Sequence, residues 1–440
     1  MLLTEEHAVR YRKKPGLFRK IDDYCARAKA LYNSVNYLIC QSARISRKLS
    51  EGEIPDSWEK RLIYRLNCAV YRYNRNRKHK LAYIDENNGF IADAYFLSWY
   101  LKDSTEYKAM PYATCAQICI QNLCSAWKAF YRGMKAWKKH PETMLGRPAK
   151  PGYRDKEKGR QSLVLTWQNI RVDDDGNVRF PRFLEGLTVR ARHKDVRQVS
   201  IITDEGGIRI RLIYRQEEQP FRKGGVMGID LGVNNLAAIC MDTEAHPVLL
   251  DGRAVKSINR YYNKRKAILQ SLAMRGNGRH RTKRIQALTG KRNRKIKDYM
   301  HKASRKIIQI AQAQGIGLII IGNNRGWKQK AELGNRTNQA FVSIPYRMLI
   351  EQISYKAALA GIKVEITGEE YTSGTSYVDN EPPVKEYYDK NRRIARGLFR
   401  GNNGTLINAD VNAAYQIMKK AGHTTLCYKG PEKAVRLKVS

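Results

Sequence analysis

The sequence predicts a two-part chain of mixed α/β class. The N-terminal half is a β module interrupted by long helices, and the C-terminal half is built on a mixed α/β sheet. Three observations predict this. Apolar residues recur every three or four positions through much of the first 150 residues. The repeat then changes to two between about 160 and 216. From 224 onward, three strand-like runs in quick succession precede alternating helical and strand-like segments. At 440 residues the chain exceeds one small domain and can bury two or three cores.

In chain order, HAVRYR (7–12) has the alternation of a short strand that can join the later β module. Ile21, Tyr24, Ala28, Leu31, Val35 and Leu38 predict a helix over 21–40. Tyr112, Cys115, Cys119, Leu123, Trp127, Phe130, Met134 and Trp137 predict another over 112–137. Between them, YRYNRNRKHK (71–80) is basic with interleaved Tyr, and residues 140–160, rich in Pro, Gly and cations, read as a linker. Short strands follow at 163–167, 170–172 and 178–180, with DDDGN (173–177) as a turn, and 199–203 with 208–214 forms a hairpin. In the second half, 226–232, 235–242 and 246–252 are strands, 256–275 and 280–314 are helices, and LIIIG (318–322) is a buried strand. A helix over 344–360, the strand KVEIT (363–367) and a last helix from Asp410 complete it. A three-stranded meander followed by alternating helix and strand describes a sheet of ribonuclease H type.

Lys and Arg number 82 against 41 Asp and Glu, a net charge of +41. Such an excess fits a polyanion, above all a phosphate backbone whose condensed counterions are released on binding, and excludes a small acidic metabolite as the reason for the charge. With 42% hydrophobic residues the chain is not a disordered basic tail. The longest apolar run, near 315–322, is far short of the roughly 20 residues that span a membrane, and no signal peptide is visible, so a cytoplasmic, nucleoid-associated location is expected. The eight Cys show no CxxC spacing, and Cys115, Cys119 and Cys124 lie on a helical apolar stripe, so they read as buried hydrophobes rather than metal ligands.

Three positions carry candidate chemistry. Asp230 ends an apolar strand in GIDLG; a carboxylate there either reaches solvent or a backbone N–H, or is compensated by a cation. Asp410 opens the last helix, where capping is the commonest role. Glu369 and Glu370 follow the strand KVEIT, where glutamates are usually solvated. In a sheet of this type the first strand, a later strand end and the start of the last helix meet. Together these acids can hold Mg²⁺, two ions about 4 Å apart being the arrangement for phosphodiester cleavage.

GIDLGVNNLAAI, LIIIGNNRGWKQ, the stretch from NQAFVSIPYRMLIEQ through GEEYTSGTSYVD, RIARGLFR and GTLINADVNAAYQI resemble, in that order, transposon-encoded TnpB proteins. These are RNA-guided nucleases related to Fanzor proteins and compact type V CRISPR effectors. The match covers about 224–420; the first half matches only in layout. The resemblance implies a RuvC-like nuclease domain at 223–370 and 406–440 and a target nucleic-acid-binding insertion at 371–405. It also implies a β-barrel wedge domain at 1–20 and 155–222, interrupted by a helical recognition domain at 21–154. It makes Asp230 the first and Asp410 the last catalytic acid. The acid expected near Gly322 is missing, with Asn323 and Asn324 following; some relatives carry a relocated glutamate just before a Tyr-Thr-Ser motif, which maps to Glu369, with Glu370 as the alternative. The two Cys pairs of the usual zinc ribbon are absent, so no structural Zn²⁺ is expected, and Tyr377, Tyr387, Tyr388, Leu398 and Phe399 are expected to form a small core in its place.

Residues 275–306 hold 13 Lys or Arg and one acid. Arg279, Arg281, Lys283, Arg284, Lys291, Arg292, Arg294 and Lys295 in this run are expected to line a channel for guide–target duplex. Arg72, Arg75, Arg77, Lys78 and Lys80 are expected to meet RNA or duplex backbone, with Tyr available to stack. Arg392, Arg393, Arg396 and Arg400 are expected to hold the cut strand. Trp327 reads as a core anchor. The implied function is a Mg²⁺-dependent, RNA-guided DNA endonuclease, one protein per guide RNA (omega RNA or CRISPR RNA), acting on double-stranded DNA beside a short motif. A CRISPR effector, a nuclease-dead guided repressor and an RNA-free accessory DNA-binding protein are the alternatives.

Overall fold

A computed structural model describes residues 1–440 except 90, 145, 205, 244, 278–281, 324–342, 396, 424–433 and 440. The chain divides into two compact units, 1–216 and 217–440.

In the first unit, β1 (Leu2–Arg10) leads into α1 (Pro15–Ser50), which starts with Pro in its first turn, a position where the missing N–H costs nothing. The helix extends well beyond the expected 21–40. Asp56 and Glu59 form a reciprocal capping box that starts α2 (Ser57–Asn74), so residues 71–74 of the basic segment finish a helix. Two short helices that the periodicity did not predict, α3 (Ala94–Leu101) and α4 (Thr105–Lys108), precede α5 (Ala113–Lys139). Cys115, Cys119 and Cys124 are buried in α5, where burial pushes each thiol up to about 12. The segment expected to be a plain linker is strapped to α1: Asn33 exchanges hydrogen bonds with the Arg154 backbone, and Tyr32 donates to the Gly152 carbonyl.

Strands β2 (Leu163–Thr166), β5 (Val196–Asp204) and β6 (Gly207–Arg215) join β1 in an antiparallel sheet of order β1-β6-β5-β2, and β3 (Arg171–Val172) pairs with β4 (Val178–Arg179) as a separate ribbon. Of the strand expected at 7–12, residues 7–10 form the C-terminal half of β1, which is held along β6 from Leu2↔Arg215 to Arg10↔Gly207, while Tyr11 and Arg12 start a short 3-10 helix. The expected barrel is, among the described residues, an open sheet: β1 and β2 are its opposite edges and do not pair. Closure would require each strand to find a partner on both sides.

In the second unit, β7 (Gly225–Asp230), β8 (Asn235–Met241) and β9 (Val248–Asp251) form the predicted antiparallel meander. Helices α6 (Arg253–Asn277) and α7 (Lys283–Ala313) follow, then β10 (Ile316–Gly322), α8 (Tyr346–Leu359) and β11 (Lys363–Thr367). The short strands β12 (Leu398–Arg400) and β13 (Leu406–Asn408) pair with each other before α9 (Ala409–Lys420), and β14 (Val435–Leu437) closes the sheet. The order β11-β10-β7-β8-β9-β14, with β10 parallel to β7 and β11 parallel to β10, is the ribonuclease H arrangement the pattern predicted, with one added edge strand. No described helix is long and apolar enough to cross a membrane.

Side chains of the sheet alternate between two cores. Met227, Ile229, Ile319 and Ile321 pack on one face with Met300, Ile307, Leu349 and Ile353 from α7 and α8. Ala238, Cys240 and Ile320 pack on the other with Ala414, Ile417 and Met418 of α9. Gly228 faces α9, and a β-carbon there would lie 2.4 Å from Met418 Cγ and 2.5 Å from the Ala414 carbonyl oxygen. The helix backbone therefore rests almost directly on β7. Gly228→Ala is expected to cost about 1–3 kcal/mol by overpacking, read as a lower urea midpoint with an unchanged slope; a wild-type midpoint would show that α9 can retreat freely.

Candidate active site

Asp230 is the last residue of β7 and lies on the same face as Gly228, beneath the start of α9. The close approach of α9 at Gly228 brings Asp410, at the second position of that helix, to the same strand end. Capping, the commonest role for an Asp here, is taken by another residue: Asn408 accepts from the backbone N–H groups of Asp410 and Val411. The Asp410 carboxylate is left for other partners. Its Oδ2 accepts from Asn235 Nδ2 at 2.8 Å, and its Oδ1 from Arg393 Nη2 at 3.2 Å.

Glu369 reaches the same place from β11. The β10–β11 register ends at Gly322↔Thr367, and the β10–β7 register at Ile321↔Ile229, so Gly322 is the next residue on its strand beside Asp230. Glu369 folds back over Gly322: a β-carbon at 322 would lie 2.7 Å from Glu369 Cγ and 2.8 Å from its Oε1. The notch left by the absent side chain is filled by the glutamate. The turn that aims it is fixed by Thr372, whose N–H and hydroxyl both donate to the Glu369 carbonyl, at 3.2 and 2.8 Å. Tyr371 sits at φ +67°, a left-handed conformation uncommon for a residue with a bulky side chain. Glu370 points elsewhere; Lys420 Nζ donates to its Oε2 at 2.6 Å and to its carbonyl at 2.9 Å.

The carboxyls disturb one another. Burial, then the charges of Glu369 and Asp410, push Asp230 well above the usual carboxylate range, with Arg393 opposing. Burial, then Glu370, raises Glu369 to about 7 against its ordinary 4.5, with Lys420 opposing. The Lys420 hydrogen bond holds Glu370 low instead. Burial, then Asp230 and Glu369, pushes up the phenol of Tyr346, the first residue of α8. Among the described residues, no three acidic, histidine or cysteine side chains already surround one point as a metal cage. The donor set is nonetheless the hard-oxygen type that suits Mg²⁺, which binds through one or two carboxylates and completes its shell with water and substrate phosphate.

The segment between β11 and α9 is stapled by a polar hub. The buried Glu381 carboxylate accepts from the Ser376 N–H at 2.8 Å, Arg392 at 2.6 Å and Asn402 at 3.0 Å, while Gln416 of α9 donates to the Glu381 carbonyl. Buried Asn412 of α9 bonds the Tyr377 N–H and the Thr375 carbonyl, and Tyr377 stacks on Tyr415 with centroids 4.2 Å apart. Of the expected small core, Tyr377 and Phe399 are buried, Tyr388 and Leu398 half-buried, and Tyr387 exposed. Polar pairing supplies order that this short apolar set does not.

The basic residues divide in the same way. Lys283, Arg284, Lys291, Arg294 and Lys295 are exposed along α7, as are Arg72, Arg75, Arg77, Lys78 and Lys80 in the first unit and Arg400 on β12. Arg292 is half-buried, donating to Asn259 at 2.8 Å and to the Ser343 carbonyl at 2.7 Å, and burial lowers its pKa. Arg392 is committed to Glu381. Arg279, Arg281, Arg396, Asn324 and Trp327 lie outside the described residues. Sequence reasoning missed Asn235, Tyr346 and Glu381, because a lone Asn, Tyr or Glu in ordinary surroundings carries no signal until the fold supplies its partner.

Glu369 allows a sign check by stability. A carboxyl whose folded pKa is raised from 4.5 to about 7 binds more protons folded than unfolded between those values. Stability of the metal-free protein should therefore fall as pH rises through that window, and stay reduced above it. Glu369→Gln is expected to remove that part of the fall and to melt above wild type at pH 8 without divalent ions; an identical pH slope would show that burial does not raise the Glu369 carboxyl.

A family model described as a probable transposase, OrfB_IS605, matches residues 209–328, and one described as Cas12f1-like, TNB domain, matches 346–417. The CRISPR-associated endodeoxyribonuclease Cas12f2 of a Micrarchaeota archaeon is 32% identical over 46% of this chain and 38% of its own length. The TnpB-like protein ORF457 of Acidianus two-tailed virus is 24% identical over 70% of this chain and 73% of its own. A Cas12f1–sgRNA–target DNA complex aligns over 94% of this chain and 98% of that chain, at 14% identity and a TM-score of 0.36. The matched span thus covers well under half of the first curated relative. Two family models in consecutive order, with relatives of both kinds, make the second half of the chain similar to TnpB-like proteins and compact type V effectors.

Proposed function

We propose that this protein is an RNA-guided DNA endonuclease, of the subgroup in which the middle acid of the RuvC-like site is relocated, and that Asp230, Glu369 and Asp410 hold Mg²⁺. The observation that carries this is the packing of Glu369 into the notch over Gly322, beside the end of β7 and the start of α9. Three acids from three separate segments crowd one place against their own repulsion, which a cation would relieve. When bound, Mg²⁺ supplies a Lewis acid for the phosphate and a site for deprotonated water.

The chain's own groups do the rest. Asn235 fixes one oxygen of Asp410 and so turns the carboxylate. Arg393, paired with the other oxygen, is placed to move onto the phosphate of the strand being cut. Lys283, Arg284, Lys291, Arg294 and Lys295 along α7 meet the backbone of the guide–target duplex, with phosphate contacts that carry position rather than sequence. In this reading the insertion folds without zinc, the Glu381 hub taking the structural part. The first unit holds the guide RNA and reads the motif beside the target in double-stranded DNA, one protein per RNA. The transposon-linked setting is preferred.

The test is cleavage of a matched DNA target with Mg²⁺, using protein purified with its RNA. Glu369→Ala is expected to lose at least about 100-fold in rate, more than is usual for a residue that only supports a metal ligand, while Glu370→Ala keeps most activity. Loss in Glu370→Ala with retention in Glu369→Ala would reverse the assignment. RNA-dependent binding with no cleavage by wild type would make the protein a guided binder.

A further inference from the structure

A surface depression of about 430 Å³ in the N-terminal unit is lined by Tyr64, Asn67, Cys68, Tyr71, Arg72 and Tyr83. The volume falls within the roughly 300–1,000 Å³ of small-ligand sites. It lies on the outer face of α2, for Leu62, Leu66, Ala69, Val70 and Tyr73 occupy the opposite, buried face. The rings on it stand open to solvent: Tyr64 is 72% exposed, Tyr71 64% and Tyr83 44%.

Tyr83 is held there by a clamp. Asn74 of α2 exchanges two hydrogen bonds with the Leu81 backbone, both 2.8 Å, and Asn67, two turns earlier, exchanges two with the Ile84 backbone, at 2.8 and 3.0 Å. Seven helical residues rise about 10 Å, and three extended steps cover about the same distance, so segment 81–84 runs back along the helix in register with it. Between the two clamps only Ala82 and Tyr83 face outward. Both Asn side chains are used up on the backbone, which leaves few polar groups for reading a ligand's identity. What remains is ring surface with the Arg72 guanidinium at its edge.

The surroundings are cationic. Arg61, Arg65, Arg75, Lys78 and Lys80 are exposed on α2 and the segment after it, and Arg77 lies over the Tyr73 ring. Of the acids nearest in sequence, Glu59 is buried and paired with Arg44 and Lys48, while Asp85 and Glu86 lie beyond the clamp, with Asp85 turned onto the N–H groups of Asn87 and Asn88. An apolar protein partner would have no use for these cations. A flat base with a phosphate on either side uses both the rings and the charge.

We propose that this clamped tyrosine site binds an unpaired nucleobase of single-stranded RNA, stacking it on Tyr64, Tyr71 and Tyr83 while Arg72 and the surrounding cations take the flanking phosphates. The choice of RNA over DNA rests on the guided reading above, in which RNA is the single-stranded partner that the free protein carries.

The experiment titrates the full-length, RNA-free protein into a single-stranded RNA oligonucleotide containing 2-aminopurine, whose fluorescence is quenched on stacking. Wild type is expected to bind with quenching. Each Tyr→Ala change is expected to weaken binding by about tenfold and to reduce the quench, while each Tyr→Phe change stays within about twofold of wild type. These side chains are exposed, so the variants should melt as wild type does, which is checked alongside. Unchanged binding and quench in the Ala variants would overturn the site and leave the guided reading standing. Phe variants as weak as Ala would overturn stacking, and tighter binding of DNA of the same sequence would overturn the occupant. No RNA binding by wild type would remove the guided reading itself, together with this proposal.

Discussion

The second unit is organised around the contact of α9 with β7 at Gly228, where helix and strand approach as closely as backbone atoms allow. Any side chain there would lift the helix by the width of a methyl group or more. Asp410 rides on the first turn of that helix, and Asp230 lies two residues along the strand, so the same contact sets the distance between them. Asn408 and Asn235 refine the placement: one caps the helix and leaves the Asp410 carboxylate unspent, and the other takes one of its oxygens. Packing thus determines the electrostatics: burial first, and neighbouring carboxylates after it, raise Asp230 and Glu369.

Gly322 and Glu369 fit together as notch and filler. Neighbouring strands are about 4.8 Å apart, within reach of a glutamate side chain. The space over Gly322, where a side chain would stand, is filled by the Glu369 carboxylate. The strained Tyr371 and the two Thr372 hydrogen bonds hold the turn that sends Glu369 inward and Glu370 out to Lys420. Such strain persists only where the surroundings over-determine it.

The segment between β11 and α9 and the outer face of α2 illustrate two uses of polar side chains. Around Glu381 a carboxylate with three donors orders a segment too short for a core of its own, at the desolvation cost that a buried charge carries. On α2, two asparagines imitate a strand partner for the returning chain and hold a ring where the hydrophobic effect would not place it. In both cases the side chains look unremarkable in the sequence, since their partners are backbone groups or residues up to about forty positions away.

Periodicity by itself determined the meander, the helix–strand alternation after it and the sheet class, because alternate burial along a strand and a 3.6-residue repeat along a helix are local consequences of which faces meet a core. It also located Asp230 at a strand end and Asp410 at a helix start. It undershot α1, whose outer turns lack a clean apolar stripe, left α2 unassigned, and missed α3 and α4, which are shorter than a pattern needs to be seen. The expected barrel became an open sheet because closure depends on edges meeting, which no local pattern records. Only the tertiary structure decided which glutamate turns inward, that Arg292 and Arg392 are engaged internally while Arg393 meets Asp410, and that Asn235 serves the same acid. Those outcomes depend on register and on which side chains are missing at contact points, and both arise only when segments distant in the chain are packed together.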